Sequence, residues 1–384
     1  MTKIKLCAVS TISNTIDAFM LESLIDMCDK GFEITIICDM DNDFINKIPK
    51  NFKYYNLKMK RKADLFGGIK STVQLYRYFK KNKFDIVQYT TPNASFYTSI
   101  ASFLALIPTR IYCQWGIRYI GFGGINRRIF KFIEKVTCLL STDIRAASRK
   151  NMEFAISEKL YKKSKAKIIG DGGTIGVDIQ KYELYRNQDL IFGTKQELGT
   201  LNDFVFGFVG SIRKDKGINE LLGAFNRISE KHDNVKLILV GEEFDGDPVD
   251  RNLLEWAKKS GKVVFTGFTK EVPKYINIMD VLVHPSYREG FSMVIQEAAA
   301  MEKPILTTNI PGPSEVIEEN VTGLLVPVKN TLEIEKAMEY CINNKNIMIE
   351  MGLKGKERVE RLFTRDRMLK LTFEDRKKLY KERG

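Results

Sequence analysis

The sequence predicts an α/β protein built from two Rossmann-like, doubly wound domains that face a central cleft. Its 384 residues exceed the length at which a single hydrophobic core usually stops growing, so two domains are expected. Short β-rich segments alternate with helical segments, which is typical of parallel sheets covered by helices on both faces. The same pattern starts again after residue 200, which predicts a second domain of the same kind.

The first half of the chain contains the segments of one such sheet. Strands are predicted over residues 4–9, 33–38, 85–89, 110–114 and 167–170, and a helix over residues 17–30. The N-terminal, acceptor-side domain is therefore expected to span residues 1–185. Residues 186–200 are polar and irregular in pattern, which predicts a linker.

The second half repeats this organisation. Strands are predicted over residues 204–209, 236–240, 263–266, 281–284 and 304–307, and a helix over residues 217–231. Several of these strands end at a glycine or a proline, as ligand-facing edges of doubly wound sheets do. We expect the C-terminal domain to span residues 200–360. A charged helical segment over about residues 360–384 is expected to pack back on the first domain.

Composition excludes several classes of protein. The 44% hydrophobic and 28% charged content is that of a globular chain, not of a disordered or fibrous one. The six cysteines lie far apart and form no C-x-x-C pair, which favours free thiols in a reducing compartment. A strand pattern begins at residue 4 and leaves no room for a signal peptide, and Pro92 and Asn93 interrupt the uncharged run over residues 86–109. A cytoplasmic protein without a membrane span is expected.

The positive charge of the chain is concentrated in one stretch. Residues 51–150 carry 19 Lys/Arg and 4 Asp/Glu, a net charge of 19 − 4 = +15, whereas the whole chain carries +13. Such a stretch attracts polyanions such as nucleic acid, acidic lipid or a phosphorylated substrate, and the alternative is an ordinary solvated surface.

The densest group of special residues follows the predicted strand over residues 281–284. The segment "HPSYREGFS" contains a rigid Pro turn and Gly290, where the backbone can approach a ligand closely, and a helix follows it. The start of a helix presents free N–H groups and the positive end of its dipole, which suits a diphosphate. Glu289 lies at the entrance of this anion site, and Glu297 lies about two turns along the helix, where a carboxylate can accept hydrogen bonds from ribose hydroxyls. Two solvated helix residues are the alternative.

Beyond these properties, the segment "HPSYREGFSMVIQEAAAMEKPILTTNIPGPSEVI" resembles the signature of family 4 retaining glycosyltransferases, which have the GT-B architecture. "GFVGSIRKDKGINELLGAF" looks like the phosphate-binding strand, loop and helix of that family, and "ENVTGLLVPV" follows in the expected order. The resemblance is strongest over about residues 200–330. In the first half, "QWGIRYIGFGGINRRIFKFIEK" and "GDGGTIGVDIQKYEL" are similar to segments of bacterial capsule and lipid-linked polysaccharide enzymes.

The resemblance implies a role for each motif residue. Glu289 would contact the hydroxyls of the donor sugar, and Glu297 would hold the nucleotide ribose. Lys216 would neutralise the charge that grows on the departing phosphate, and no metal is required. The backbone N–H groups around Gly290, Phe291 and Ser292 would contact the diphosphate, and Gly210 and Ser211 would complete the donor site.

The chain departs from the family pattern at three places. The early glycine-rich loop is absent, since "VSTISNT" stands where many relatives have paired glycines. The arginine that commonly follows the glycine at position 210 is replaced by Ser211. The nearest arginine, Arg213, is expected to take over its role beside Lys216, and the alternative is that Lys216 and Lys214 suffice. The common His-Gly pair after the strand near residue 112 is replaced by Trp115 and Gly116, so no histidine is assigned a catalytic role.

The basic stretch suggests which surface the acceptor side presents to a membrane. Over residues 58–83, cations alternate with aliphatic and aromatic side chains that include Phe66 and Phe79. Such a segment can lie on an anionic membrane surface, and a core-facing helix with a solvated back is the alternative. The residues assigned to the acceptor or membrane side are Lys60, Arg61, Lys62 and Arg118.

The sequence therefore predicts a metal-independent glycosyltransferase without a cofactor, which moves a sugar from a nucleotide sugar to a lipid-linked or growing saccharide. UDP-hexoses and UDP-N-acetylhexosamines are the expected donors, and the enzyme is expected on the inner face of the cell membrane. A basic nucleic-acid- or membrane-associated binding protein is the alternative, but no nucleic-acid motif accompanies the basic stretch. A dehydrogenase would require G-x-G-x-x-G directly after a strand, which is absent from the sequence. The oligomeric state is not determined.

Overall fold

The structure is a computed structural model that describes residues 3–60 and 65–383. The chain divides into two compact units. The first comprises Met1–Ile175 together with Asp366–Gly384, and the second comprises Gly176–Arg365.

The first unit contains one sheet with helices in its crossovers. Its strands are β1 (Ile4–Ile12), β2 (Phe32–Asp39), β3 (Lys53–Asn56), β4 (Ile86–Tyr89), β5 (Thr109–Gln114), β6 (Asp143–Ala146) and β7 (Ala166–Ile168). Its helices are α1 (Ser13–Phe19), α2 (Leu21–Asp29), α3 (Asn42–Lys47), α4 (Leu65–Asn82), α5 (Pro92–Leu104), α6 (Gly124–Leu140) and α7 (Arg149–Ser157), with short 3-10 turns at Arg118–Gly121 and Lys163–Lys165. The strands are all parallel, in the order β3-β2-β1-β4-β5-β6-β7.

Both faces of this sheet are covered by apolar side chains. Along β1, Leu6 and Ala8 contribute to one buried cluster, whereas Cys7 and Val9 contribute to another. Successive side chains of a strand point to opposite faces, so the two clusters are the two faces of the sheet. This explains why β1, β2 and β4 are largely apolar instead of alternating.

The second unit is built in the same way. Its strands are β8 (Phe204–Val209), β9 (Val235–Val240), β10 (Val263–Gly267), β11 (Val281–His284), β12 (Ile305–Thr308) and β13 (Gly323–Val326). Its helices are α8 (Ile179–Glu183), α9 (Gln188–Glu197), α10 (Ile218–Lys231), α11 (Arg251–Lys259), α12 (Val272–Ile278), α13 (Met293–Ala300), α14 (Pro313–Val316), α15 (Thr331–Asn343) and α16 (Lys345–Leu362), with a 3-10 turn at Lys214–Lys216. The parallel strands follow the order β10-β9-β8-β11-β12-β13. Two doubly wound, Rossmann-like sheets confirm the predicted fold class.

The last helix, α17 (Arg365–Arg383), packs on the first unit through buried charges as well as apolar contacts. Asp375 accepts hydrogen bonds from Arg145 Nε at 2.9 and 3.0 Å and from Arg376 Nη1 at 2.6 Å, and all three side chains are buried. Burial alone would raise the pKa of Asp375, but the guanidinium groups of Arg376 and Arg145 hold it below its ordinary value. Leu379 completes the contact with the apolar cluster around β2.

Three sequence expectations are wrong in detail. The expected linker contains helix α9, because the Asn187 side chain accepts hydrogen bonds from the N–H groups of Asp189 and Leu190 and caps the helix, which packs on α12. The helix predicted over residues 17–30 is two helices, which separate at Met20. Phe79, expected to reach a membrane, is 1% exposed and belongs to the core.

The uncharged run over residues 86–109 forms β4 and α5, as expected for a buried strand and helix. Within the described residues, the helices lack the combination of length and apolarity that a bilayer crossing requires.

Candidate functional site

The residues singled out in the second half lie at one edge of the second sheet. β8 and β11 are neighbours there, although they are not consecutive in the chain. The connections from the two strands therefore leave in opposite directions, and a crevice opens at their carboxyl ends, where ligands bind in doubly wound sheets. The loop after β8 supplies Lys216, and the loop after β11 supplies Glu289.

Three donors converge on one oxygen of Glu289. Lys216 Nζ contacts Oε1, His284 Nε2 lies 3.2 Å from it, and Ser286 Oγ donates to it at 3.1 Å. The side chains of Lys216 and Glu289 are 18% and 17% exposed, so water screens this ion pair only weakly. Burial alone would raise the pKa of Glu289, but the charge of Lys216 and the hydrogen bond from His284 outweigh burial and hold it well below its ordinary range. Glu289 is ionised at neutral pH.

A glycine allows Lys216 to reach this position. Gly217 has φ of +74°, a left-handed conformation, and a Cβ at this residue would lie 2.1 Å from the carbonyl oxygen of Pro285. The loop after β8 can therefore rest directly on the backbone that follows β11. Lys216, the preceding residue, is thereby held against Glu289.

His284 lies beneath this cluster and is 3% exposed. Its ring stacks on Phe208 with a centroid distance of 6.2 Å, and its backbone carbonyl accepts a hydrogen bond from Thr307 Oγ1 at 2.8 Å. Since a carboxylate can only accept, Nε2 carries the proton that His284 donates to Glu289. The sequence assigns no histidine a catalytic role, and the structure shows that His284 contacts the Glu289 carboxylate. The spacing H-x-S-x-x-E after a strand was the available signal that His284 and Ser286 position a carboxylate.

Arg213 points toward an aspartate rather than toward Glu289. Its Nε lies 2.6 Å from Asp215 Oδ1, and its guanidinium lies 5.5 Å from the ring of Phe244. Arg288 Nη2 donates to the other Asp215 oxygen at 2.8 Å. Asp215 therefore links two arginines beside Lys216, and sequence reasoning did not identify this arrangement. Gly210 and the exposed Ser211 precede it in the same loop.

The segment Gly290, Phe291 and Ser292 lies just before α13, as predicted. Ser292 is the N-cap of this helix and accepts from the N–H of Ile295 at 3.5 Å. The ring of Phe291 is buried against Phe363 with centroids 5.4 Å apart, so this residue offers its backbone, not its side chain, to a ligand. Backbone N–H groups near a helix start suit anionic ligands.

Glu297 has different partners from those of Glu289. The half-buried Glu297 carboxylate, on α13, hydrogen-bonds with the hydroxyl of Tyr182 on α8. Burial raises the pKa of Glu297, and the Tyr182 hydroxyl, Lys181 and Arg365 oppose this increase only in part. Tyr182 was not identified from the sequence, although it lies in the quoted segment "GDGGTIGVDIQKYEL".

The acceptor-side residues lie in the first unit. Arg118 stacks on Phe130 at 4.6 Å, and Lys60 is exposed at the rim of a cavity of about 410 Å³, which Lys58 and Lys70 also line. Arg61 and Lys62 lie outside the described residues. Elsewhere, over residues 3–60 and 65–383, no group of three or more His, Cys, Asp or Glu side chains could hold a metal ion.

Family comparisons cover both halves of the chain. Residues 5–148 match the family described as glycosyl transferase 4-like, and residues 193–358 match glycosyl transferases group 1. The chain is 31% identical over 332 residues to the capsular polysaccharide biosynthesis glycosyltransferase CapM of Staphylococcus aureus, covering 85% of this chain and 87% of the relative. It is 25% identical over 336 residues to an Escherichia coli UDP-Gal:alpha-D-GlcNAc-diphosphoundecaprenol alpha-1,3-galactosyltransferase, covering 83% and 82%.

Solved structures share the fold over the whole chain. Anabaena HepE in complex with UDP superposes with a TM-score of 0.78 at 19% identity, covering 98% of this chain and 100% of HepE. The lipopolysaccharide glycosyltransferase WaaG superposes with a TM-score of 0.72 at 15% identity, covering 93% and 95%. The motif residues lie at the carboxyl ends of β8 and β11, where the strand order of the second sheet reverses. Together with this position, the matches show that the chain belongs to the family 4 glycosyltransferases of the GT-B fold.

Proposed function

We propose that this glycosyltransferase moves a sugar from a UDP-sugar to a lipid-linked or growing saccharide during bacterial surface polysaccharide synthesis, with retention of the anomeric configuration. The observation that carries the proposal is the ionised, desolvated Glu289 beside Lys216 at the carboxyl ends of β8 and β11. The names of the S. aureus and E. coli relatives support a capsule-type product and a UDP-linked donor.

Different groups of the donor site bind the sugar, the diphosphate and the ribose of the nucleotide sugar. Ionised Glu289 accepts hydrogen bonds from sugar hydroxyls, and the backbone N–H groups of Gly290, Phe291 and Ser292 receive the diphosphate. Glu297 accepts from the ribose. Because Tyr182 already donates to Glu297, its carboxylate is oriented before the ribose arrives.

The bond that breaks joins the anomeric carbon to the diphosphate. As it breaks, negative charge grows on the departing oxygen, and Lys216 stabilises this charge from a fixed position. The acceptor hydroxyl forms its new bond on the same face of the sugar and passes its proton to the departing diphosphate. Arg213, held by Asp215, adds positive charge at the edge of the site. We therefore propose that the reaction requires neither a metal ion nor another cofactor.

The acceptor is proposed to be anchored in a membrane. The printed name of the E. coli relative includes a diphosphoundecaprenol-linked sugar. Residues 51–150 of this chain carry +15, and Lys58, Lys60 and Lys70 surround a cavity large enough for a phosphorylated headgroup. These cations, with Arg61, Lys62 and Arg118, would hold the enzyme on the anionic inner face of the cell membrane.

Donor use is tested with purified protein and a panel of nucleotide sugars. One UDP-sugar should raise the melting temperature and be turned over, and Glu289→Gln and Glu297→Gln should each lower kcat/KM by at least 100-fold while the fold persists. Near wild-type turnover of either variant would contradict the role of that residue. Salt-sensitive retention on nucleic acid without turnover of any donor would favour a binding protein instead.

Metal independence has its own measurement. Turnover should persist in EDTA, because Lys216 supplies the charge that a metal would otherwise supply. Turnover that disappears with EDTA and returns with magnesium or manganese would contradict this part of the proposal.

A further inference from the structure

A cavity opens in the first unit at the carboxyl edge of its sheet. Gln88 of β4, Cys113 of β5 and Ala146 of β6 line it, and each lies at or next to the carboxyl end of its strand. Helix α17 contributes Met368 and Thr372 to the lining. Ligands of doubly wound sheets bind at this edge. The lining residues all belong to the first unit, whereas the donor motif belongs to the second.

Two buried arginines that line the cavity, Arg145 and Arg376, are 7% and 3% exposed. Arg145 donates from Nε to Asp375 at 2.9 Å and from Nη1 to a backbone carbonyl at 3.1 Å, and its Nη2 has no hydrogen-bond partner among the described residues. Arg376 donates from Nε to Gln88 at 3.0 Å and from Nη1 to Asp375 at 2.6 Å. Over the same residues, its Nη2 contacts only the sulfur of Cys113 at 3.9 Å, and sulfur is a weak acceptor. Since buried donors are normally paired, these two Nη2 groups are available to a ligand.

Positive charge exceeds negative charge around the cavity. Arg383 contacts Asp143, and Asp143 also lies 3.7 Å from Arg145. In the part of the chain that the structure describes, four cations share two carboxylates: Arg145, Arg376, Arg383 and the exposed Lys167 pair with Asp143 or Asp375. A buried charge without a counter-ion is costly, and a bound anion would supply negative charge where it is lacking.

The size of the cavity favours a carboxylate. About 30 Å³ is open to the centres of oxygen-sized atoms, and one water requires about 10–15 Å³, so two oxygens fit. A carboxylate is planar and has two oxygens, and a guanidinium group pairs with it through two parallel N–H bonds. A phosphate group has four oxygens in a tetrahedron and needs more room.

Two aromatic rings lie where the cavity meets the surface. Trp115 directly follows β5, Phe19 ends α1, and their ring centroids are 5.6 Å apart. Both rings line the cavity and are partly exposed. The indole N–H of Trp115 has no partner in the described ranges, so it can donate to a hydroxyl group. Aromatic faces with a few polar groups beside them suit the C–H groups and the hydroxyls of a sugar ring.

We infer that the first unit binds an acidic saccharide, whose carboxylate enters the cavity and pairs with Arg145 and Arg376 while its ring contacts Trp115. The inference rests on the proposed function, because it takes this saccharide as the acceptor, and it adds the class of that acceptor: a saccharide with a uronic acid. It also gives a reason for one departure from the family pattern, since Trp115 stands where relatives commonly have histidine. A neutral sugar would leave both guanidinium groups without an anion.

The test measures the binding of small glycosides to the full chain by isothermal titration calorimetry. The probes are methyl glucuronide and methyl galacturonide, and methyl glucoside and methyl galactoside are their neutral counterparts. At least one uronide should bind with a Kd at least 10-fold lower than that of its counterpart. Arg145→Lys keeps a cation beside Asp375 but removes the planar fork, so it should raise this Kd by at least 10-fold. The matched control, Arg383→Lys, should bind as wild type, because Arg383 contacts Asp143 without lining the cavity.

A second readout does not depend on these variants. In a Trp256→Phe background Trp115 is the only tryptophan, and its emission should change with the uronide but not with the neutral glycoside. Equal affinity for the uronides and the neutral glycosides would overturn the inference. So would an unchanged Kd in Arg145→Lys, or acetate that binds as tightly as the uronides, since acetate would reveal a general anion site.

The outcomes separate this inference from glycosyl transfer. If the protein turns over a UDP-sugar but prefers no uronide, the proposed function stands and the inference is wrong. If a uronide binds and no donor is turned over, the carboxylate site stands and glycosyl transfer is wrong. If both occur, the uronide should inhibit transfer in competition with the saccharide acceptor. Competition with the UDP-sugar instead would place the uronide in the donor site and overturn the inference.

Discussion

Replacement of Lys216 by Met should destabilise the second unit more than an ordinary surface substitution does. The change removes the cation that contacts Glu289 but keeps the length of the side chain. Glu289 then remains ionised in a site where its side chain is only 17% exposed. His284 and Ser286 still donate to it, so part of its stabilisation survives.

The structure sets the size of this effect. Removing one member of a fully buried ion pair costs about 3–5 kcal/mol, and the remaining exposure and hydrogen bonds place Lys216→Met near the lower end, at about 2–3 kcal/mol. The double variant Lys216→Met/Glu289→Gln leaves no unpaired charge. It should therefore be more stable than Lys216→Met alone by at least about 1 kcal/mol, because contacting residues are not additive.

The contribution of Glu289 to the stability of the second unit also depends on pH. The pKa of Glu289 is lower in the folded state than its ordinary value of 4.5, so its stabilisation is present above that pH and is lost as the pH falls through the folded-state value. Without Lys216 the pKa of Glu289 rises, and the loss of stability on acidification below pH 4.5 should become smaller. The wild-type curve should be steeper than that of the variant.

Urea unfolding followed by tryptophan fluorescence can isolate the second unit. The chain has two tryptophans, Trp115 in the first unit and Trp256 against the core of the second, so a Trp115→Phe background leaves one reporter. Lys214→Met, on the exposed residue two positions earlier, is the control. A Lys216→Met cost no larger than that of the control, or a double variant less stable than the single one, would refute the reasoning.

Three further predictions concern other buried contacts. Burial raises the pKa of Glu134 to about 7. The stability of the first unit should therefore fall as the pH rises from 4.5 through 7, because the folded state then has to bury a charged carboxylate. Glu134→Gln should remove this dependence, which urea titrations at several pH values can measure. Asp375→Ala removes the carboxylate that contacts buried Arg376 and leaves Arg145 only the more distant Asp143, at 3.7 Å. The change should cost about 3–5 kcal/mol, measured by the same fluorescence method with Trp115 as reporter. A cost below that of an exposed Asp→Ala change would contradict the packing of α17. Gly217→Ala would place a Cβ against the Pro285 carbonyl and should lower kcat/KM at least 10-fold, whereas the same change at Gly261, where open space surrounds the Cβ position, should leave kcat/KM unchanged.

The donor-site motif shows why part of the site could be predicted from the sequence. Glu289 and Lys216 lie in loops that directly follow apolar strands, and the ends of neighbouring parallel strands meet at one edge of a sheet. Local sequence therefore indicated both residues, and the structure brings them into contact. Arg213 and Ser211 lie in the same loop as predicted, but local sequence did not indicate that Asp215 draws the Arg213 side chain aside.

Sequence patterns did not predict every strand, and β6 is one of those that they missed. β6 has the sequence DIRA, which does not read as a buried strand. Its Asp143 and Arg145 are nevertheless buried, because Arg383 and Asp375 of α17 neutralise them from more than 200 residues away. A partner so distant in sequence can be identified only when the chain is folded.

The orientation of amphipathic segments also depended on the tertiary structure. Over residues 58–83 the sequence indicated that apolar and basic residues alternate, but not which apolar residues face outward. The structure exposes 84% of Phe66 and buries Phe79, because Phe79 packs under the sheet. On α6 apolar side chains lie on both sides, since Phe130 and Cys138 pack in the core whereas Ile129 and Phe132 are 50% and 66% exposed.

The sequence by itself thus determined the two α/β sheets, the position of the donor motif and the family, because these depend on periodicity and on residues near strand ends. The tertiary structure alone decided which charged groups pair, which side of each helix is buried and where Glu297 finds Tyr182. These features depend on contacts between segments distant in the chain, and their energies arise from burial and from the charge that faces each group, which no local pattern specifies.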